Sequence, residues 1–130
     1  MRFLSTKTHG IMDYLMGLLL IAAPWLLGFA EGGAETWVPV TIGVATLVMS
    51  LLTNYELGLL KTLPMPLHLT IDLLSGLLLA ASPWLFGFAD RVYLPHLILG
   101  LAEVGAALVT QKTPSFSGDR DRARATKSAF

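Results

Sequence analysis

A chain of 130 residues that is 54% hydrophobic and only 14% charged falls well below the roughly 25% charge of a soluble domain, and it lacks the polar surface to enclose that much apolar material. The formal net charge is zero, so the total implies no acidic partner. The absence of cysteine removes disulfides, thiolate nucleophiles, iron–sulfur clusters and thiolate zinc sites together.

In chain order, residues 1–8 form a short basic start, followed by an apolar tract from Gly10 to Ala30 whose only charge is Asp13. At 1.5 Å per residue this tract covers roughly the 30 Å of a hydrocarbon core. The second tract, Thr36 to Thr53, has no charge at all. The connector, residues 54–66 (NYELGLLKTLPMP), mixes leucines with single charges. It is expected at the inner interface, with Pro64 and Pro66 opening the next helix. The third tract, Leu67 to Ala89, again has one acid near its start, Asp72, and the fourth, Val92 to Thr110, carries His96 and Glu103. The tail, residues 111–130, is polar and arginine-rich and is expected to be a disordered cytoplasmic segment. Its arginines alternate with Asp119 and Asp121, which argues against nucleic-acid binding. Four such tracts leave no polar face to meet water, so a soluble bundle is rejected in favour of an all-α, four-helix transmembrane bundle.

The basic residues set the orientation. Arg2, Lys7, Lys61, Lys112, Arg120, Arg122, Arg124 and Lys127 fall on one side, and only Arg91 falls on the other. Both termini and the connector are therefore expected on the cytoplasmic side of the plasma membrane, with Trp25, Trp37, Trp84 and Tyr93 near the outer interface. Arg2 and Lys7 ahead of an apolar run also resemble a signal peptide. A near copy of that run in mid-chain argues against cleavage.

That copy is an internal repeat. Sliding the chain by 59 positions sets HGIMDYLMGLLLIAAPWLLGFA (9–30) against HLTIDLLSGLLLAASPWLFGFA (68–89), with 14 of 22 positions identical. Chance likeness between apolar helices would match leucines, whereas here His, Asp, Gly, Pro and Trp match in register. The second helices pair less well, through Pro39 and Pro95. Residues 9–53 and 67–110 thus read as two tandem hairpins, each with an even number of spans, which predicts a pseudo-two-fold axis along the membrane normal.

These residues resemble the SPW-repeat family of small prokaryotic integral membrane proteins. Its signature stands here as Ser82-Pro83-Trp84, with the first unit departing slightly as Ala23-Pro24-Trp25. The resemblance implies a prokaryotic plasma membrane and carries over no catalytic residue.

The shared residues fall on one helical stripe in each unit: His9, Asp13, Gly17, Pro24 and Gly28, then His68, Asp72, Gly76, Pro83 and Gly87. Gly17, Gly28, Gly76 and Gly87 are expected to let helices approach closely. Pro24 and Pro83 are expected to kink or end their helices, with Trp25 and Trp84 as anchors. His9/Asp13 and His68/Asp72, each spaced i and i+4, face one another along a helix. They suit either helix packing or a proton or metal site, with packing preferred and no metal expected. Glu103 has no counterpart in the first unit. At its depth a charge is costly, so it is expected to be protonated and to donate to a carbonyl or to a hydroxyl such as Thr46, Ser50 or Ser75.

No phosphate loop, nucleophile elbow or His-Glu-x-x-His pattern is present. The expectation is a non-enzymatic protein without a cofactor, surrounded by lipid and acting by packing in a homo-oligomer or a larger membrane complex. The alternative is a carrier or channel for protons, ions or a small hydrophobic molecule, using Asp13, Asp72 and Glu103.

Overall fold

Four helices run through residues 2–113, the part that the computed structural model describes: α1 (Thr6–Leu26), α2 (Ala34–Leu52), α3 (Met65–Leu85) and α4 (Leu94–Val109). The tail expected to be disordered lies, from residue 114 onward, outside the described residues. Three of the helices, α1, α2 and α3, are long and apolar enough to cross a membrane. The fourth has 16 residues, about 24 Å at helical rise, and is shorter than its apolar tract. Leucines 15, 18, 74, 77 and 101 with Ile98 are exposed along the helices, an inside-out surface suited to lipid.

Helix α1 begins and ends about one turn earlier than its apolar tract, and α3 begins at Met65, just ahead of its tract, and ends about one turn early. Ser5 starts α1, its hydroxyl accepting from the Thr8 amide at 3.1 Å. Pro64 precedes α3 and Pro66 sits in its first turn, where a missing amide proton leaves no bond unmade. At the far ends, Gly28 and Gly87 have φ of 74° and 73°. The left-handed turn lets the Phe29 amide reach back to the Pro24 carbonyl at 2.9 Å, and the Phe88 amide to Pro83 at 2.8 Å. This corrects the packing role expected of Gly28 and Gly87. A Cβ on either would meet nothing within 4 Å, so these two glycines terminate helices because of their backbone conformation.

The other two glycines do pack, and each has a glycine partner across its hairpin. A Cβ on Gly43 would come within 2.7 Å of the Gly17 carbonyl oxygen, and one on Gly76 within 2.8 Å of the Gly100 carbonyl oxygen. Bare backbone against bare backbone closes α1 on α2 and α3 on α4, the contact available to membrane helices where apolar burial gives no advantage over lipid.

Longer side chains join the two hairpins. At mid-depth, Leu20, Ile42 and Leu79 form the buried core, with Met16, Val38 and Leu99 against it. At one end of the bundle Leu4 pairs with the end of α4 (Leu4 N to Val109 O, 2.9 Å), and Leu63, 59 positions later, pairs with the end of α2 (Leu63 N to Leu52 O, 2.7 Å). Arg2 donates to the Ala107 and Thr110 carbonyls at 2.8 and 2.7 Å, and Lys61, its counterpart at the same offset, donates to the Tyr55 carbonyl at 2.7 Å. Cations thus sit on carbonyls at or just beyond the C-terminal ends of both return helices, where the helix dipole favours them. At the opposite end Trp25 meets Trp37 edge-on at 6.4 Å and Trp84 meets Tyr93 at 5.8 Å. Arg91 and Glu31 pair there at 2.6 Å, an exposed contact worth at most about 1 kcal/mol.

Candidate functional site

Because α1 starts at Thr6 and α3 at Met65, both His-x-x-x-Asp pairs lie one to two turns inside their helices. The bundle brings all four side chains together, each nearly or fully buried. His9 Nε2 lies 3.0 Å from Asp13 Oδ1 and 2.9 Å from Asp72 Oδ2, and His68 Nε2 lies 3.0 Å from Asp13 Oδ2 and 3.1 Å from Asp72 Oδ2. Histidine and carboxylate alternate around a closed ring, and each histidine touches its own helix's acid and the other's. The imidazoles meet edge to face, with centroids 5.6 Å apart.

Two threonines fix how the rings are turned. Thr110 Oγ1 donates to the Ala106 carbonyl at 2.5 Å and therefore accepts from His9 Nδ1 at 2.7 Å. Thr53 Oγ1 donates to the Met49 carbonyl at 2.6 Å and accepts from His68 Nδ1 at 2.5 Å. A hydroxyl has one proton, and here it is committed to the backbone. Each Nδ1 thus carries a proton, and each Nε2 lies against the carboxylates, His9 Nε2 in hydrogen-bond contact with Asp72 Oδ2 at 2.9 Å. The exchange is reciprocal, since the histidine of one hairpin is held by the residue that caps the C-terminal end of the other hairpin's return helix.

Tyr55, in the connector, covers one side of the ring. It is fully buried against Met65 and Leu69, its ring lies 5.6 Å from His68, and its hydroxyl is 3.4 Å from Asp13 Oδ2. Burial, reinforced by the nearby Asp13 charge, pushes the phenol well above its ordinary value, so it remains a neutral donor. The connector thereby plugs this end of the bundle, with the Tyr14 hydroxyl donating to the Leu57 carbonyl at 2.8 Å.

Glu103 faces the same place from α4. His96, Gly100, Glu103 and Ala107 are the buried residues of that helix. None of the hydroxyls expected to receive a bond from Glu103 reaches its Oε2, which is buried without a hydrogen-bond partner. Thr46 instead donates to the Ile42 carbonyl in its own helix, at 2.8 Å. Glu103 lines a cavity of about 40 Å³ together with His9, Asp13, Asp72, Met12 and Met16, which is room for about one water molecule.

His96 stands apart, near the end of the bundle that carries the tryptophans. Its Nε2 donates to the Glu35 carbonyl at 2.9 Å, and its ring packs on Phe29 and Phe88 at 5.0 and 4.8 Å. The signature residues lie close by. Pro24 and Pro83 occupy the last turn of α1 and α3, Trp25 and Trp84 are exposed, and Ser82 and Ala23 are fully buried. The Ser82 hydroxyl donates to the Leu79 carbonyl at 2.7 Å.

These duplicated Pro-Trp helix ends, each with a His and an Asp upstream on the same helix, match a known pattern. The family model of the SPW repeat domain covers residues 7–110. The chain belongs to that family. No curated protein and no solved structure matches it. The match takes in both hairpins of this SPW repeat protein and every residue of the His–Asp ring, and with its apolar helices it fits a membrane protein.

Sequence reasoning missed Thr53, Thr110 and Tyr55 as parts of the site. The threonines left one faint signal, since each is the last residue of an apolar tract. Tyr55 left none, because it lies outside the repeated segments.

Proposed function

We propose that this SPW repeat protein is a non-enzymatic packing module of the prokaryotic plasma membrane, working as a homo-oligomer or as an accessory subunit of a larger membrane complex. All four helices cross the bilayer in this reading, with both termini and the connector cytoplasmic and the two hairpins related by a pseudo-two-fold along the membrane normal. The observation that carries it is where the polar side chains go. The histidines, threonines and aspartates bond to one another or to backbone carbonyls, and beyond Met16 the interior is closed by Leu20 and Leu79, both fully buried. The reciprocal His9–Thr110 and His68–Thr53 contacts support the two-fold. A second reading, a proton or ion carrier, draws on the cavity shared by Asp13, Asp72 and Glu103.

Extraction in mild detergent followed by native mass analysis tests the assignment. The expected result is a particle of fixed stoichiometry, either several copies of this chain or one chain with a constant partner. A single chain in every detergent, combined with proton or ion flux when reconstituted in vesicles, would transfer the assignment to the carrier reading. For the orientation, single cysteines at Glu31 and Ser128 are expected to react with an impermeant thiol reagent from opposite sides of the cell membrane, the first from outside. Reaction of both from the same side would defeat the four-span arrangement.

A further inference from the structure

The ring formed by His9, Asp13, His68 and Asp72 has more acceptors than donors. With Nδ1 of each imidazole donating to a threonine, a neutral ring presents an Nε2 lone pair to carboxylates that also offer only lone pairs. Four acceptor groups are then aimed at one another in a buried space. Something positive must sit among them, either a proton on each Nε2 or a single cation held by all four.

We infer that this ring is a binding site for one first-row divalent metal ion of the zinc type, held by Nε2 of His9 and His68 and by one carboxylate oxygen each of Asp13 and Asp72. The first support is the spacing. One donor atom from each residue can be chosen so that all four lie within 4.8 Å of one another, and each Nε2 is 2.9 to 3.1 Å from an oxygen of both carboxylates, Asp13 giving a different oxygen to each histidine. Four donors held at about 2.1 Å by one zinc ion stand about 3.4 Å apart in a tetrahedron, so a small movement of these side chains around an ion would seat all four.

The second support is direction. His68 Nε2 is fully buried and, although close to both carboxylates, makes no hydrogen bond to either. It is close to both without being aligned on either, whereas His9 Nε2 is in hydrogen-bond contact with Asp72 Oδ2 at 2.9 Å. The third is the pair of threonines outside the ring. An imidazole that ligates through Nε2 has its tautomer and orientation set by a bond at Nδ1, and Thr53 and Thr110 supply that bond in both copies.

The donor set selects the metal. Two imidazoles and two carboxylates, with no thiolate and no carbonyl cage, suit zinc, cobalt, manganese or iron in the divalent state better than calcium, magnesium or copper(I). Two carboxylates and a divalent ion also cancel in charge, which a buried site requires. The 40 Å³ cavity beside His9, Asp13 and Asp72 leaves space for one water on the open side of the ion, with the unpartnered Glu103 Oε2 as its acceptor. Because two ligands come from each hairpin, the ion would join the hairpins where glycine contacts do not.

The test uses the full-length chain purified in mild detergent, stripped with a chelator and titrated with Co²⁺. The expected result is one Co²⁺ per chain with visible bands of a nitrogen–oxygen site, displaced by an equal amount of Zn²⁺. Asp72→Asn and His68→Gln should each weaken binding at least about tenfold, as should Thr53→Val, which touches no ligand atom. His96→Gln, distant from the ring, should leave binding unchanged. A helical, monodisperse wild-type chain that takes up no Co²⁺ overturns the proposal whatever the variants do. So does binding that survives the double change of His9 and His68 to Gln, or nitrogen NMR showing both Nε2 atoms still protonated with the metal in excess. The titration reads the same whether the chain works alone or in a complex, so it stands apart from the assembly assignment.

Discussion

Gly100→Ala should destabilise the bundle by about 3 kcal/mol or more, while Gly105→Ala on the same helix should be neutral or stabilising by up to about 1 kcal/mol. The contrast comes from what the new methyl group meets. At Gly100 it would collide with the backbone nitrogen of Ala80 and approach the Gly76 carbonyl oxygen at 2.6 Å and the Ala80 Cα at 2.8 Å. These are backbone atoms of a regular helix, so no rotamer change relieves the overlap and α3 and α4 must separate along their length. At Gly105 nothing lies within 4 Å, and only the better helix propensity of alanine remains. Unfolding in mixed detergent micelles with increasing SDS, read by tryptophan fluorescence, compares the two directly. Equal stability of the two variants would show that the glycine contact does not close the second hairpin.

Asp72→Leu should cost about 3–5 kcal/mol, the range for removing one partner of a buried ionic contact. Asp72→Asn should cost only about 1–2 kcal/mol. The leucine leaves His9 Nε2 and His68 Nε2 facing a methyl group, because Asp72 Oδ2 lies within 2.9 and 3.1 Å of the two nitrogens. Asparagine still presents one oxygen to them. Measured with a chelator present, the difference reports the ring's own polar contacts rather than a bound ion. The same order is expected at Asp13, whose two oxygens are divided between the histidines at 3.0 Å each. Equal destabilisation by Asn and Leu would mean that the carboxylate charge, and not its capacity to accept a bond, holds the site.

Much of the arrangement could be read along the chain. The 59-residue offset identifies paired units, helical phase puts His9, Asp13 and Gly17 on one stripe, and the stripe of His96, Gly100, Glu103 and Ala107 is the buried side of α4. Such readings succeed because a helix converts spacing into direction through local geometry alone. Gly28 and Gly87 mark the limit of this reasoning. They share the stripe of Gly17 and Gly76, yet helical phase describes only residues with helical backbone, and these two have left it.

Composition and periodicity by themselves determined an all-helical apolar chain, its duplication, and the presence of two His–Asp pairs near one end of the helices. Only the tertiary structure decided that the pairs close into one ring, that Thr53 and Thr110 turn the imidazoles, that Tyr55 covers one side of the ring, and that Glu103 shares the cavity instead of bonding a hydroxyl. The physical reason is the separation of these partners. His9 and Thr110 are 101 residues apart, and their meeting depends on how two hairpins, each closed by glycine contacts, are set against one another in height and rotation, a relation that no periodicity within a single helix encodes.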